Sequence, residues 1–325
     1  MNNPYISIVI PTLGRNNVLE TCLDSLTRQT FTDFEVVIIT DNKKGTESLN
    51  KKFPQLTLSI IEQDKKGLAY ARNMGLNNSK GKIVTFTDDD VALSQDWAKE
   101  VSGIFNSSEG IGGVSGPTII PEALVNNRDI LAFHSKTQKN LFWRIIGKIY
   151  TYCALENQPE AVGKIFRSGA FSLGSNYKKS AELPSPVEVD YLEACNMSFR
   201  KDILDKTGGF SPEYKGIGDW SEPDLAFRVK QQGYKLVFNP HAIVYHNISQ
   251  AGVFKQRGAD SCQRMVNFVY FYKKWFKLNS LDKIARFSFN LCFLSLYWIF
   301  KFLQTGNTAW LGGIKGIFVG LARKP

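Results

Sequence analysis

The sequence is short of the residues that build thiolate metal centres, disulfide frameworks and membrane spans. Its five cysteines, Cys22, Cys153, Cys195, Cys262 and Cys292, are odd in number, far apart and never arranged as C-x-x-C. That pattern argues against a thiolate zinc site and a disulfide scaffold, and for a reducing compartment in which cysteines pack. No apolar run reaches the roughly 20 residues of a bilayer span. In the tail the uncharged stretch between Arg286 and Lys301, "FSFNLCFLSLYWIF", is 14 residues long. The first residues, "MNNPYISIVIPTLGR", lack a basic region ahead of a short apolar run, so they read as a strand and not a signal peptide. The chain is therefore expected on the cytoplasmic side. Internal repeats and low-complexity tracts are absent too.

Acidic residues are nearly missing from one part of the chain. Residues 251–325 hold 2 Asp+Glu against 12 Lys+Arg, whereas residues 1–250 hold 28 of each, so the tail carries the excess behind the net charge of +10. The tail is also aromatic and apolar, as in "VNFVYFYKKWFKL". Basic, aromatic and apolar residues together suit the surface of an anionic bilayer. Nucleic acid is the disfavoured partner, because its binding segments interleave basic and aromatic residues without long apolar runs. A second apolar stretch, "AWLGGIKGIFVGLARKP", is broken by Lys315 and by Gly312, Gly313, Gly316 and Gly320. Both stretches are expected to lie on a membrane as amphipathic helices in preference to crossing it.

What is present is a core-forming α/β pattern. With 325 residues and 43% apolar content, the chain has ample material for one large domain or two smaller ones. "YISIVI" (5–10), "FEVVIIT" (34–40), "LTLSII" (56–61) and "KIVTFT" (82–87) predict strands covered on both faces. Between the first two, Leu19, Cys22, Leu23 and Leu26 fall on one helical face, and "GLAYARNMGLNNSKG" predicts a second crossover helix. Strand and helix in alternation mean a mostly parallel sheet with flanking helices, and ligands bind at the carboxyl ends of such strands. Asp41 and the triplet Asp88, Asp89 and Asp90 both fall at strand ends. Further on, "NLFWRIIGKIYTYCAL" predicts a helix with Phe142, Ile145, Ile146, Ile149 and Cys153 in an apolar stripe. Packing on the core is the first reading of that stripe; a lid or a membrane-contacting helix is the second.

Three adjacent carboxylates after an apolar strand repel one another unless a cation or donors answer them. A helix N-terminus also favours Asp, but three exceed what a cap requires. Five ordered motifs lie around this cluster: "SIVIPTLGRN", Asp41 after the second strand, "DKKGLAYARNMGL", "TDDDV", and "GGF" followed by "EPDLAFR". Together they resemble the family 2 glycosyltransferases of the nucleotide-sugar-binding GT-A fold, over roughly residues 5–250. The resemblance implies a Rossmann-like GT-A domain over 1–250, with a nucleotide-sugar half (1–120), an acceptor half (121–250), and a membrane-associating region at 251–325.

It also implies roles. Pro11, Thr12, Arg15, Asp41, Lys66, Gly67, Arg72, Asp88 and Asp89 would hold the nucleotide-sugar, a UDP-sugar as first guess. Asp90, with Asp88 and His246, would hold Mn2+ or Mg2+, since a hard cation with oxygen ligands neutralises a departing diphosphate. Glu222 or Asp224 would be the base that takes the proton of an acceptor hydroxyl; Glu222 stands where the family has its base, and Asp224 equally suits a helix start with Arg228 at i+4. Tyr191, Glu193 and Trp220 would face the acceptor, Tyr191 and Trp220 as a stacking platform or equally as core. His241 and His134 receive no role. The acceptor implied is a lipid-linked or cell-surface glycan at the cytoplasmic membrane face. A polyprenyl-phosphate glycosyltransferase, needing no base, and a non-catalytic membrane-surface binder of the same fold are the alternatives. A nucleotidyltransferase is disfavoured, because its Gly-rich, Lys-containing triphosphate loop is missing.

Overall fold

The computed structural model describes residues 3–121, 136–137, 139–172, 178–247 and 260–325. His134 lies outside them. The chain divides into two compact units, one formed by Met1–Glu122, Ser175–Pro212 and Ser221–Ile248, the other by Ala123–Gly174, Glu213–Trp220 and Ser249–Pro325. One division falls at Ile248/Ser249, beside residue 250. The apolar helix near residue 145 and the segment Glu213–Trp220 group with the tail helices.

The first unit opens with β1 (Ile6–Thr12), α1 (Asn16–Thr27) and β2 (Phe34–Thr40). Two short helices, α2 (Lys43–Thr46) and α3 (Leu49–Lys52), lead to β3 (Leu58–Glu62), α4 (Leu68–Asn78) and β4 (Ile83–Phe86). Then come β5 (Val91–Leu93), α5 (Trp97–Ser107), β6 (Ile111–Ser115) and β7 (Thr118–Ile119). Its later elements are β8 (Val187–Glu188), β9 (Met197–Arg200), α7 (Lys201–Thr207), α8 (Ser221–Gln231), β10 (Lys235–Phe238) and β11 (Val244–His246). An eight-stranded sheet runs β3-β2-β1-β4-β9-β6-β10-β8, and a second sheet runs β5-β11-β7. The pairings β3/β2, β2/β1, β1/β4 and β6/β10 are parallel, while β9 is antiparallel to both neighbours. The four expected strands are present, the third shifted to Leu58–Glu62. The stripe Leu19, Cys22, Leu23 and Leu26 is buried against β1 and β2 residues such as Ile8 and Ile38.

Strand order reverses at β1: the chain steps outward to β2 and β3, then returns to place β4 on the other side. That switch point, outside the carboxyl ends of β1 and β4, is where α/β sheets open a crevice. Close packing of α4 on the sheet depends on Gly75, where an added Cβ would sit 2.1 Å from Val9 Cγ1.

The second unit contains α6 (Leu141–Ala154), α9 (Ser261–Trp275), α10 (Leu281–Thr305) and α11 (Gly312–Ala322). Its core is aromatic, with Phe268, Tyr272, Phe287 and Trp298 buried together. Gly313, Gly316 and Gly320, which break the apolar stretch in sequence, are contact points instead. An added Cβ at Gly316 would sit 2.1 Å from the Cys262 carbonyl. No helix among the described residues is long and apolar enough to cross a membrane. The apolar stripe of α6 corrects the core-packing expectation: only Gly147 and Ala154 are buried, while Phe142, Ile145 and Ile149 are exposed. Gly147, Ala154 and the packed ring of Tyr150 form the inward face, so Phe142, Ile145 and Ile149 point out.

Candidate functional site

The site assembles at the carboxyl end of β4. Each of the three aspartates there has a different partner. Asp89 is buried and turned inward; its Oδ2 accepts from Thr12 Oγ1 at 2.6 Å, and Arg15 clasps both carboxylate oxygens. Burial pushes its carboxyl up to about 6, against the pull of Thr12 and Arg15. Asp89, Thr12 and Arg15 therefore brace one another from β4 to β1.

Asp88 and Asp90 are half-buried. Antiparallel pairing of β11 with β5 sets His246 opposite Val91, one residue beyond the triplet, and Asn247 N donates to the Asp90 carbonyl at 2.9 Å. This register delivers His246 Nε2 to 3.1 Å from Asp90 Oδ1. One ligand atom each from Asp88, Asp90 and His246 lie within 4.8 Å of one another. Two carboxylate oxygens and an imidazole nitrogen at this spacing fit a hard or borderline divalent cation such as Mg2+ or Mn2+. Burial lowers the affinity of His246 for a proton, but Cys195 and Asp90 outweigh it and push the imidazole up to about 11. Cys195 Sγ stands 3.9 Å from His246 Nδ1, on the side away from Asp90. Nothing in the sequence singled out Cys195 for this place.

Arg72 carries the site toward the later motifs. It projects from α4 and is 1% exposed. Its guanidinium bonds Glu222 Oε1 at 2.5 Å, donates to the Ala194 carbonyl at 3.3 Å and lies 3.7 Å from Asp88 Oδ1. It also stacks on Phe210, 5.3 Å from the ring centroid, while its Nε has no partner. Next in sequence, Asn73 receives a bond from Phe210 N and gives one to Phe210 O, both at 2.8 Å. The "ARN" and "GGF" motifs are thus one hydrogen-bonded joint, in which Gly208 and Gly209 take positive φ (76° and 66°). Asn73 and Phe210 were quoted within motifs, yet only the fold reveals that they meet.

The candidate bases separate. Glu222 is half-buried at the start of α8, in the Arg72 pair. Asp224 is fully buried and ion-paired to Arg228 Nε at 2.9 Å, and Arg228 donates onward to the Thr207 and Gly209 carbonyls. Asp224 thus ties the helix start to the glycine turn through Arg228, as in its helix-start reading.

Other expected residues scatter. Pro11 ends the β1 strand, Asp41 is exposed just past β2 beside Gly14, and Lys66 and Gly67 are exposed at the α4 N-terminus, where Gly67 takes φ 142°. Glu193 is half-buried and its N–H donates to Ser115 Oγ. Tyr191 is buried, as its core reading has it. Trp220 belongs to the second unit, where it packs on Phe171 and Phe268, each 4.7 Å between centroids. His241 is exposed and apart.

Residues 7–159 match the family model described as "Glycosyl transferase family 2". The chain carries a family 2 glycosyltransferase domain. Relatives agree: "Glycosyltransferase GlyA" of Streptococcus pneumoniae is 37% identical over 97 residues, 29% of this chain and 14% of that protein. A "GalNAc(5)-diNAcBac-PP-undecaprenol beta-1,3-glucosyltransferase" of Campylobacter jejuni is 32% identical over 95 residues, 28% of this chain and 31% of its own. This chain therefore spans well under half the length of these curated relatives. Among solved structures, the mannosyltransferase PcManGT from Pyrobaculum calidifontis, in complex with GDP-Man and Mn2+, superposes with a TM-score of 0.54 at 15% identity. That superposition covers 99% of this chain and 87% of that one, and the likeness is one of fold. The GT-A architecture of the family 2 domain is thereby established.

Proposed function

We propose that the chain is an inverting, metal-dependent transferase that moves a sugar from a nucleotide-sugar to a hydroxyl of a lipid-linked or cell-surface glycan, at the cytoplasmic face of a membrane. The observation that carries this reading is the single network in which Arg72 lies against both Asp88 and Glu222, while Asp88 joins Asp90 and His246 in a metal-sized cluster. On this reading donor-side and acceptor-side chemistry would share one place.

Asp88, Asp90 and His246 would hold the cation, which would supply positive charge to a departing diphosphate. The β1 end with Pro11 and Thr12, the exposed Asp41 and the α4 N-terminus with Lys66 and Gly67 would receive the nucleotide. Glu222 would take the proton of the acceptor hydroxyl. Support for a lipid-linked acceptor comes from the printed name of the Campylobacter relative and from the basic, aromatic tail. Calorimetric titration with UDP and GDP, each with and without Mn2+, tests the reading. Tight binding of one diphosphate only when Mn2+ is present is expected; binding of neither, or binding indifferent to metal, overturns it.

A further inference from the structure

The second unit displays apolar side chains that its own core does not use. At 3.6 residues per turn, Leu141, Phe142, Ile145, Ile149 and Tyr152 of α6 fall within an arc of about 100°, and all five are exposed, Leu141 to 71% and Phe142 to 64%. On α10, Leu281, Ile284, Leu296, Ile299, Phe300 and Leu303 fall within about 160°, with Leu303 exposed to 73%. The two helices pack on each other through Tyr150 and Phe293, whose centroids are 4.4 Å apart, and Arg286 donates to the Tyr152 and Cys153 carbonyls. Lys136 Nζ sits over the rings of both Trp143 and Phe300. Two apolar faces, exposed among the described residues, thus belong to one packed pair.

Charge identifies what covers them. The segments of this unit hold 20 Lys+Arg against 7 Asp+Glu, whereas the other unit holds 20 against 23. Arg144 and Lys148, both exposed, flank one edge of the α6 arc. A second copy of the chain, docked about a two-fold axis, would set these basic flanks against themselves. Nucleic acid would use the basic residues but gains nothing from exposed Leu and Ile, which offer no stacking face. An anionic bilayer satisfies both: aliphatic side chains enter the acyl boundary while Lys and Arg meet the headgroups.

We propose that α6 and α10 together form a docking surface for an anionic lipid bilayer, so that membrane attachment is not confined to the chain beyond residue 250. None of its residues is among those assigned to the nucleotide-sugar, and its test does not depend on sugar transfer.

The test is flotation of the full chain with vesicles of equal parts phosphatidylglycerol and phosphatidylcholine, beside vesicles of phosphatidylcholine alone. The wild type is expected to float with the anionic vesicles, and less so as salt rises. The variant Phe142→Ser/Ile145→Ser/Ile149→Ser changes only exposed side chains and is expected to lose at least about 10-fold in partitioning, with Mn2+-dependent UDP binding unchanged. Arg144→Glu/Lys148→Glu is expected to weaken anionic binding and spare whatever neutral binding exists. The proposal is overturned if the triple variant floats like the wild type. It is equally overturned if the wild type ignores both vesicles and instead sediments as a dimer that the triple variant abolishes, or binds single-stranded nucleic acid in preference to lipid.

Discussion

Glu222→Gln is the perturbation that asks most of the site. The substitution keeps shape and an accepting Oε1 but removes the charge. Its first effect is on Arg72, whose buried guanidinium loses the carboxylate 2.5 Å away and retains Asp88 at 3.7 Å and the Ala194 carbonyl. Stripping one partner from a buried ion pair costs about 3–5 kcal/mol. Here the amide still accepts a hydrogen bond and Asp88 remains, so a loss of about 1–2 kcal/mol is expected, close to one charged hydrogen bond. The second effect is on rate: without a base for a hydroxyl far above neutral pKa, kcat should fall by about 10²–10⁴-fold with the donor's KM nearly unchanged. Asp224→Asn should do the reverse. Asp224 is fully buried against Arg228, which also holds the Thr207 and Gly209 carbonyls, so about 3–5 kcal/mol of stability should go while the folded fraction keeps its kcat. Denaturant unfolding reads the stability, and nucleoside diphosphate release with a lipid extract as acceptor reads the rate. If Glu222→Gln turns over like the wild type and folded Asp224→Asn does not, the base is Asp224 and the geometry has been misread. If both turn over on a polyprenyl phosphate, no protein base is used and the acceptor is the phosphate.

Three further outcomes are expected. Asp90→Ala should lower UDP affinity in Mn2+ by at least about 10-fold, since a ligand is lost and the remaining donors, Asp88 and His246, leave the cation under-coordinated; calorimetry should place it near the wild type in EDTA. Gly75→Ala should destabilise by about 1–3 kcal/mol, because the new Cβ meets Val9 Cγ1 at 2.1 Å, and Val9→Ala in the same chain should restore part of the loss. Asn73→Ala should cost about 1–3 kcal/mol by leaving the Phe210 N–H and carbonyl without their partner, and should lower kcat as well, because the turn it holds backs Arg72; urea melts and initial rates check the two effects.

Legibility in the sequence followed the range of the interactions. β1, β2, β4 and α1 were readable because their apolar residues recur at local periods and end on local signals, and the carboxylates at the end of β4 announced a site by their mutual repulsion. The register that brings His246 to Asp90 depends on β11 crossing to β5, a pairing of segments more than 150 residues apart, and no local pattern encodes it. For the same reason Cys195 was invisible: its position beside His246 Nδ1 is a consequence of the sheet, not of its neighbours. The α6 stripe shows a different limit. Amphipathicity says that one face differs from the other, but the inward face is the one carrying Gly147, Tyr150 and Ala154, which the apolar stripe did not mark. A similar ambiguity held for the pair at the start of α8, where two carboxylates two residues apart read alike until burial separated them.

The question raised by the triplet at the end of β4 has an answer in charges. Asp89 is met by Arg15, Asp88 by Arg72 and Asp90 by His246, but Arg72 is shared with Glu222. If His246 is to act as a metal ligand it must give up its proton, because only the neutral imidazole has a lone pair to offer. The four carboxylates Asp88, Asp89, Asp90 and Glu222 then outnumber the two guanidinium groups of Arg15 and Arg72 by two. A divalent cation at Asp88, Asp90 and His246 makes up that difference, which is why the cluster fits such an ion better than a monovalent one. The same accounting explains why Arg72 is placed where it is. A guanidinium between Asp88 and Glu222 sets a positive charge within reach of both carboxylates, so that the proposed donor-side and acceptor-side halves of one reaction would share a site that would otherwise repel itself.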